Sequence, residues 1–275
     1  MTSPTRLQAE QSAARSNAAE YERLAVPALF AGWATSLVDL ASPAPGAHIL
    51  DLGCGTGIVA RTAAAAVGAD GYVDAIDSDL AMLEAAREAC TGVAASMHWH
   101  TADALHLPFD DAAFDIVFCQ QALQFFEDPG GALVEMRRVV RPGGCVAVNT
   151  WRGVQEGSAS HTLAATLGSH LGSEAAGELD APCVLGAPDA LGKALSDAGL
   201  DVRHTGVLVQ ALNVGSAAEL LDLAALITSL GPWLADLGSD TRRRLTEELD
   251  HALAAPEVEG RLAILIEACV AVGRR

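Results

Sequence analysis

His48-Ile49-Leu50-Asp51-Leu52-Gly53-Cys54-Gly55-Thr56-Gly57 is the stretch whose reading decides the fold. A short apolar run meets three glycines at alternate positions. Glycine is required where backbone turns with positive φ or where a ligand presses on the main chain. The next apolar run closes on Asp77, and an acid at the tip of a second strand suits a ribose with two free hydroxyls. A dinucleotide fingerprint needs glycine at 58, where Ile58 stands, and a phosphate loop needs a following Gly-Lys-Ser/Thr, which is absent. The bland alternative is a purely structural turn.

Outward from this turn, apolar runs alternate with helical spacing. Tyr21, Leu24, Ala25, Ala28, Leu29, Trp33, Leu37 and Leu40 recur at three- and four-residue steps, predicting a helix from 20 that Ser42-Pro43-Ala44-Pro45-Gly46 ends. Residues 1–18 read as a loosely held arm. Strands are expected at 48–51, 72–76, 97–100, 114–119 and 146–151, with helices at 58–67, 80–90 and 130–140. Such alternation implies an α/β fold with a parallel, doubly wound sheet. Helices at 158–172 and 188–198 and a strand at 202–212 follow, then a long insertion before a closing strand at 266–273. The insertion carries helical patterns at 217–237 and 240–254. Leu220, Leu223, Ile227, Leu230 and Leu234 form one stripe there, read either as sheet packing or as a lid. We divide the chain into an N-terminal arm and cap helix (1–45), a ligand-binding core (46–151), and a segment that completes the sheet and carries the lid helices 158–172 and 217–254 (152–275), all within one structural domain.

Composition excludes other classes. The formal net charge of −18 argues against a nucleic-acid partner, which needs a basic surface. No apolar run reaches the ~20 residues that span a bilayer, and the N-terminus lacks an apolar signal core, so a cytoplasmic protein is expected. Cys54, Cys90, Cys119, Cys145, Cys183 and Cys269 show no metal-ligand spacing and read as reduced, mostly buried thiols. No metal is expected.

Five ordered motifs then carry a resemblance. Beside the glycine turn stand Gly71-Tyr72-Val73-Asp74-Ala75-Ile76-Asp77-Ser78 with Leu80-Ala81-Met82-Leu83, and Asp103-Ala104-Leu105-His106-Leu107-Pro108-Phe109. The set is completed by 114–126 and by Met136-Arg137-Arg138-Val139-Val140-Arg141-Pro142-Gly143-Gly144. Together they resemble class I S-adenosylmethionine-dependent methyltransferases, over residues 21–151 and more loosely beyond. The branch most like them includes ubiquinone and menaquinone C-methyltransferases and bacterial small-molecule methyltransferases. The resemblance implies a Rossmann-like, seven-stranded, mostly parallel sheet with an antiparallel last strand. It implies S-adenosylmethionine as cofactor, S-adenosylhomocysteine as product, and these cofactor contacts. Asp51, Gly53, Cys54 and Gly55 would cradle the methionine half, and Asp77 with Ser78 the ribose. Met82, Asp103 and Ala104 would line the adenine, the Gln120 carbonyl would meet the amino group, and Tyr21 would reach the carboxylate. For Met82 and Tyr21, ordinary packing is the competing reading, and for Asp103 a turn cap.

A sulfonium cofactor carries its own electrophile, so the expected reaction is in-line methyl transfer to a carbon, nitrogen or oxygen of a small aromatic or heterocyclic metabolite, in bacterial specialised metabolism. Gln121, Gln124, Phe125, Trp151, Arg152, Thr228 and Trp233 are the acceptor-contact candidates. Gln124, His161 and His170 are the catalytic candidates, Gln124 mainly for positioning, and a base would be a histidine. Surface placement competes for both histidines. Two rivals stand: a quinone-type C-methyltransferase of primary metabolism, and a non-methylating protein that binds the cofactor. The oligomeric state, a homodimer included, is left open.

Overall fold

A computed structural model describes residues 14–93, 95–180, 183–253, 257–258 and 261–275. Eight strands make one sheet: β1 (His48–Leu52), β2 (Tyr72–Ile76), β3 (Ser96–His100), β4 (Phe114–Gln120), β5 (Val140–Trp151), β6 (Asp201–Val214), β7 (Glu257–Val258) and β8 (Arg261–Arg274). Their order is β3-β2-β1-β4-β5-β8-β6, with β7 paired to β8 off that path. The pairs β3–β2, β2–β1, β1–β4 and β4–β5 are parallel. Gly143 N–H bonds to Arg275 O, whereas Arg152 N–H bonds to Glu267 O. β8 therefore runs antiparallel to β5, as expected for the last strand. The reversal of strand order lies between β1 and β4, and open α/β sheets bind ligands outside the strand C-termini at that point.

Central strands are apolar because both faces are covered: Ile49, Leu50, Val117, Phe118, Cys119, Val146, Ala147 and Val148 are fully buried. The helix α1 (Ala14–Ala41) and α2 (Ile58–Val67) share a core in which Ala34, Leu37 and Val38 meet Ala60, Ala63, Ala64 and Ile49. α3 (Leu80–Ala89) begins at Asp79, whose side chain accepts the Ala81 N–H, and α4 (Pro129–Val139) at Asp128 in the same manner.

The N-terminal region departs from expectation in three ways. Residues 14–18, assigned to the arm, are already helical; the rest of that arm, 1–13, lies outside the described residues. By length and composition α1 could cross a membrane, contrary to the reading of the apolar runs, although its apolar face lines the core just described. Between Tyr21 and Phe30 its winding is the wider π form, with Pro27 inside and Ala31 N–H bonded to Val26 O. Proline has no N–H to donate and crowds the preceding turn, and the wider winding accommodates it.

The chain divides into two compact units, 1–150 with 187–208 and 269–275, and 151–186 with 209–268. The second unit holds α5 (Ala159–Leu171), α6 (Ser173–Gly177), α8 (Ala217–Ile227), α9 (Gly231–Ala235) and α10 (Ser239–Leu253), and α7 (Pro188–Asp197) belongs to the first. The helix expected over 217–237 breaks in two, because Gly231-Pro232 follows Thr228 and proline prefers to start a helix rather than continue one. The strand expected at 266–273 is longer, Arg261–Arg274.

Candidate functional site

The glycine turn is built by backbone strain that only glycine relieves cheaply. Gly53, Gly55 and Gly57 have φ of 70°, 53° and 80°. A β-carbon at 53 would lie 2.4 Å from the Ala122 β-carbon, and one at 57 would lie 2.8 Å from Trp99. At Gly55 the same atom would meet nothing within 4 Å. Two glycines thus admit close packing, and the middle one leaves open space over its backbone.

Acids anchor this turn from below and beside. Asp51, 1% exposed, accepts the Ala60 N–H at 2.8 Å, and burial lifts its carboxyl to about 7. Asp77 accepts the Gly55 N–H at 2.8 Å through one oxygen and the Asp79 N–H at 2.9 Å through the other. Burial pushes the Asp77 carboxyl up, against the pull of those amides. A carboxylate has about four acceptor positions, so Asp77 keeps capacity for two further donors. The Ile76 carbonyl takes the Gly53 and Cys54 N–H groups.

α1 is tied to the same turn. Arg61 donates to Thr56 O at 2.9 Å and to Glu22 Oε1 at 2.6 Å. Tyr21 stacks on Phe30 with ring centroids 5.3 Å apart. Burial, then the nearby Asp77 charge, pushes the Tyr21 hydroxyl well above its ordinary range. Gln120 donates to Phe30 O at 3.2 Å. The buried Thr56 Oγ1 and Glu22 Oε2 have no partner.

After β4 the chain folds back over the turn. Gln121 has φ of 53°, and its N–H bonds to both the backbone and side-chain oxygens of Asn149, at 2.9 and 3.1 Å. Gln124 Nε2 donates to Gln121 Oε1 at 3.2 Å. Phe126 stands 3.6 Å from the position of a β-carbon at 53, whereas Phe125 is 59% exposed. Asn149, fully buried, escaped the sequence reading. Its signal was a polar residue directly after the apolar run Val146-Ala147-Val148, within the expected strand. The Glu22–Arg61 pair had no such signal, since its members are 39 residues apart.

The remaining candidates divide between the two units. Met82 is half-buried on the first turn of α3, and Ser78 is exposed. Asp103 is exposed and caps a turn, accepting the Leu105 N–H at 3.0 Å with His106 Nδ1 at 3.2 Å; both interactions hold its carboxyl below the usual range. Ala104 beside it is half-buried. Trp151, Arg152, His161, His170, Thr228 and Trp233 lie in the second unit. There Arg152 pairs with Glu267 at 3.1 Å and His170 Nε2 with Glu248 at 2.7 Å. His161 Nδ1 accepts the Gly157 N–H at 3.4 Å. Thr228 caps the end of α8, its hydroxyl 2.6 Å from Ala224 O, and Trp233 is half-buried in α9. Among the described residues no group of three or more His, Cys, Asp or Glu is placed to hold a metal ion.

The segment that builds this turn and its neighbouring strands is similar to known proteins. Residues 50–148 match the sequence model of the family described as "Methyltransferase domain". The chain is 35% identical over 118 residues to the ubiquinone/menaquinone biosynthesis C-methyltransferase UbiE of Vibrio vulnificus, covering 42% of this chain and 45% of that protein. It is 36% identical to the 2-phytyl-1,4-naphtoquinone methyltransferase of Nostoc punctiforme, covering 42% and 51%. The chain thus spans about half the length of these relatives. In fold it is similar to the Bacillus halodurans protein BH2331 (TM-score 0.61, 18% identity, 88% of this chain and 97% of the other). It is also similar to the [4+2]-cyclase SpnF (TM-score 0.54, 17% identity, 89% and 80%).

Proposed function

We propose that this chain, which belongs to the class I S-adenosylmethionine-dependent methyltransferases of the UbiE-like branch, transfers a methyl group by in-line displacement to a carbon, nitrogen or oxygen of a small aromatic or heterocyclic metabolite. A place in bacterial specialised metabolism is part of the same reading. The observation that carries it is the Asp77–Gly55 bond under a glycine with open space above it. Such a cradle takes a ligand against bare backbone while a fixed acid waits beside it.

The residues fit the cofactor. Asp77 has acceptor capacity left for two ribose hydroxyls, Thr56 and Glu22 hold unpartnered polar atoms beside the turn, and Asp51 and Asp77 suit a cationic ligand. S-adenosylmethionine, when bound, supplies a methyl group already activated on sulfur. This chain's residues then have positioning work to do. Asp77 orients the ribose, Asp51 and the turn orient the methionine half, and Tyr21 on α1 closes one side. Orientation of reactants can contribute ~7–11 kcal/mol. Beyond β4 the Gln124 amide donates to the Gln121 side chain, and Asn149 on β5 accepts the Gln121 backbone N–H; these neutral amides position an acceptor but take no proton from it.

The test is calorimetry with S-adenosylmethionine, S-adenosylhomocysteine and NAD. Binding of the first two and not of NAD supports the reading; NAD binding with the sulfur ligands ignored refutes it. The identity to UbiE and to the naphtoquinone methyltransferase favours a second reading, a quinone-type C-methyltransferase of primary metabolism, which methyl transfer to a demethylated quinol would support. Cofactor binding without turnover on any acceptor would favour the non-methylating rival.

A further inference from the structure

Gln121 and Gln124 are each 9% exposed and share one amide–amide bond, Gln124 Nε2 to Gln121 Oε1. Their other two polar atoms, Gln121 Nε2 and Gln124 Oε1, are buried without a partner. One is a donor and the other an acceptor, and exchanging N and O in both amides would leave the same pair of free functions. Leaving such groups buried and unmade costs ~1–3 kcal/mol each, so their retention calls for a ligand that completes them.

The backbone holds this pair in place. Gln121 occupies a left-handed conformation, uncommon for a residue with a side chain, fixed by the double contact of its N–H with Asn149. Between the two glutamines sits Ala122, whose β-carbon packs against Gly53 so tightly that no side chain fits there. The amide pair is therefore locked to the glycine turn, at the C-terminal end of β4. Neither amide is charged, so an ionised ligand group would find no counter-ion in the pair.

We infer that the Gln121–Gln124 pair is the recognition element for the methyl acceptor. The acceptor it selects is a neutral molecule with a carbonyl-type oxygen beside an O–H or N–H group, as in a carboxamide or a hydroxyl next to a ring carbonyl. The oxygen takes the free glutamine N–H, and the neighbouring O–H or N–H donates to the free glutamine carbonyl. This rests on the methyltransferase reading, because the acceptor must sit beside the cofactor cradle. Recognition of a donor and an acceptor together rejects analogues that lack one of them, since a buried group is then left unpaired.

The experiment uses the full chain saturated with S-adenosylhomocysteine, titrated with benzamide and with acetophenone. The two probes have the same shape, and only benzamide adds a donor beside its carbonyl. Benzamide should bind at least about tenfold more tightly. The double variant Gln121→Met/Gln124→Met, which replaces both amides by apolar groups of similar shape, should abolish that preference while S-adenosylhomocysteine affinity stays within about twofold. Equal affinities in the wild type, binding of neither probe, or a preference that survives in the double variant would each overturn the inference. The wild-type comparison decides it alone if the variant fails to fold. Failure to bind S-adenosylhomocysteine would overturn the methyltransferase reading and this inference with it.

Discussion

The Asp77 carboxylate accepts the Gly55 N–H at 2.8 Å, so the acid proposed to hold the ribose also staples the glycine turn. Its other oxygen accepts the Asp79 N–H at the start of α3. Replacing Asp77 by Ala should lower cofactor affinity at least about tenfold, since bonds to charged groups are worth ~1.5–3 kcal/mol. It should also lower the thermal midpoint without cofactor, because two backbone donors lose their partner. Asp77→Asn keeps one carbonyl oxygen for the turn and should separate the effects, with most of the midpoint retained and most of the affinity lost. Calorimetry and melting on the three chains check this; a midpoint unchanged in Asp77→Ala would deny the staple.

The glycines of the turn should respond differently to a methyl group. Gly53→Ala adds a β-carbon 2.4 Å from Ala122 at a φ of 70°. Left-handed backbone costs ~1–2 kcal/mol outside glycine, and the clash adds to it, so a loss of about 2 kcal/mol or more is expected. Ala122→Gly in the same chain should recover the clash and leave the backbone cost. Gly55→Ala has only the backbone cost, because its β-carbon would enter open space, yet it should abolish cofactor binding by filling the cradle. Denaturant melts and calorimetry measure the two losses. A Gly55→Ala chain that binds cofactor normally would show that the open space above residue 55 is not the cofactor's.

These contrasts show where the sequence is legible. The alternating apolar runs at 48–52, 72–76 and 114–120 reveal their strands because burial on both faces forces apolar side chains there. The glycine triplet reveals its turn because few other residues tolerate that backbone. The role of Asp77 as a staple was illegible: the contact links residues 22 apart through a loop, with no periodicity to announce it. The helix expected over 217–237 misled for a related reason. Its helical stripe continues through Leu230 and Leu234, while the break comes from Gly231-Pro232 inside the stripe. The wide winding of α1 hung on one residue, Pro27, which spacing of apolar positions does not register.

Asp51 predicts a pH dependence. Burial lifts its carboxyl to about 7 in the folded chain, whereas an unfolded Asp titrates near ~3.9. Between these values the folded state keeps a proton the unfolded chain has released, so stability falls as pH rises through that window and levels off above it. Asp51→Asn keeps an oxygen for the Ala60 N–H and removes the titration, so its stability should vary less between about pH 4 and about pH 7. Asp77, shifted in the same direction, leaves a residual slope. A cation bound beside Asp51 favours its charged form, so wild-type affinity for S-adenosylmethionine should rise through about pH 7 and that of Asp51→Asn should rise less. Parallel slopes for both chains would assign the dependence elsewhere.

Arg61 joins α1 to the glycine turn, and its removal tests whether that helix belongs to the site. Its guanidinium holds Thr56 O at 2.9 Å and Glu22 Oε1 at 2.6 Å, with side chains only 19% and 26% exposed. Removing one member of a shielded pair leaves the other charged and uncompensated, and the second Glu22 oxygen already lacks a partner. Arg61→Ala should therefore destabilise the chain by about 1.5–3 kcal/mol and release the turn of α1 that carries Tyr21. If α1 closes one side of the cradle, cofactor should dissociate faster while its association rate changes little, because affinity losses at a formed site are mostly in dissociation. Glu22→Gln keeps an oxygen for Arg61 and should behave as a mild form of the same change. Stopped-flow dissociation of S-adenosylhomocysteine from the three chains measures this. Equal dissociation rates in all three, alongside a lowered melting midpoint, would confine the Arg61–Glu22 pair to holding the fold and remove α1 from the cofactor site.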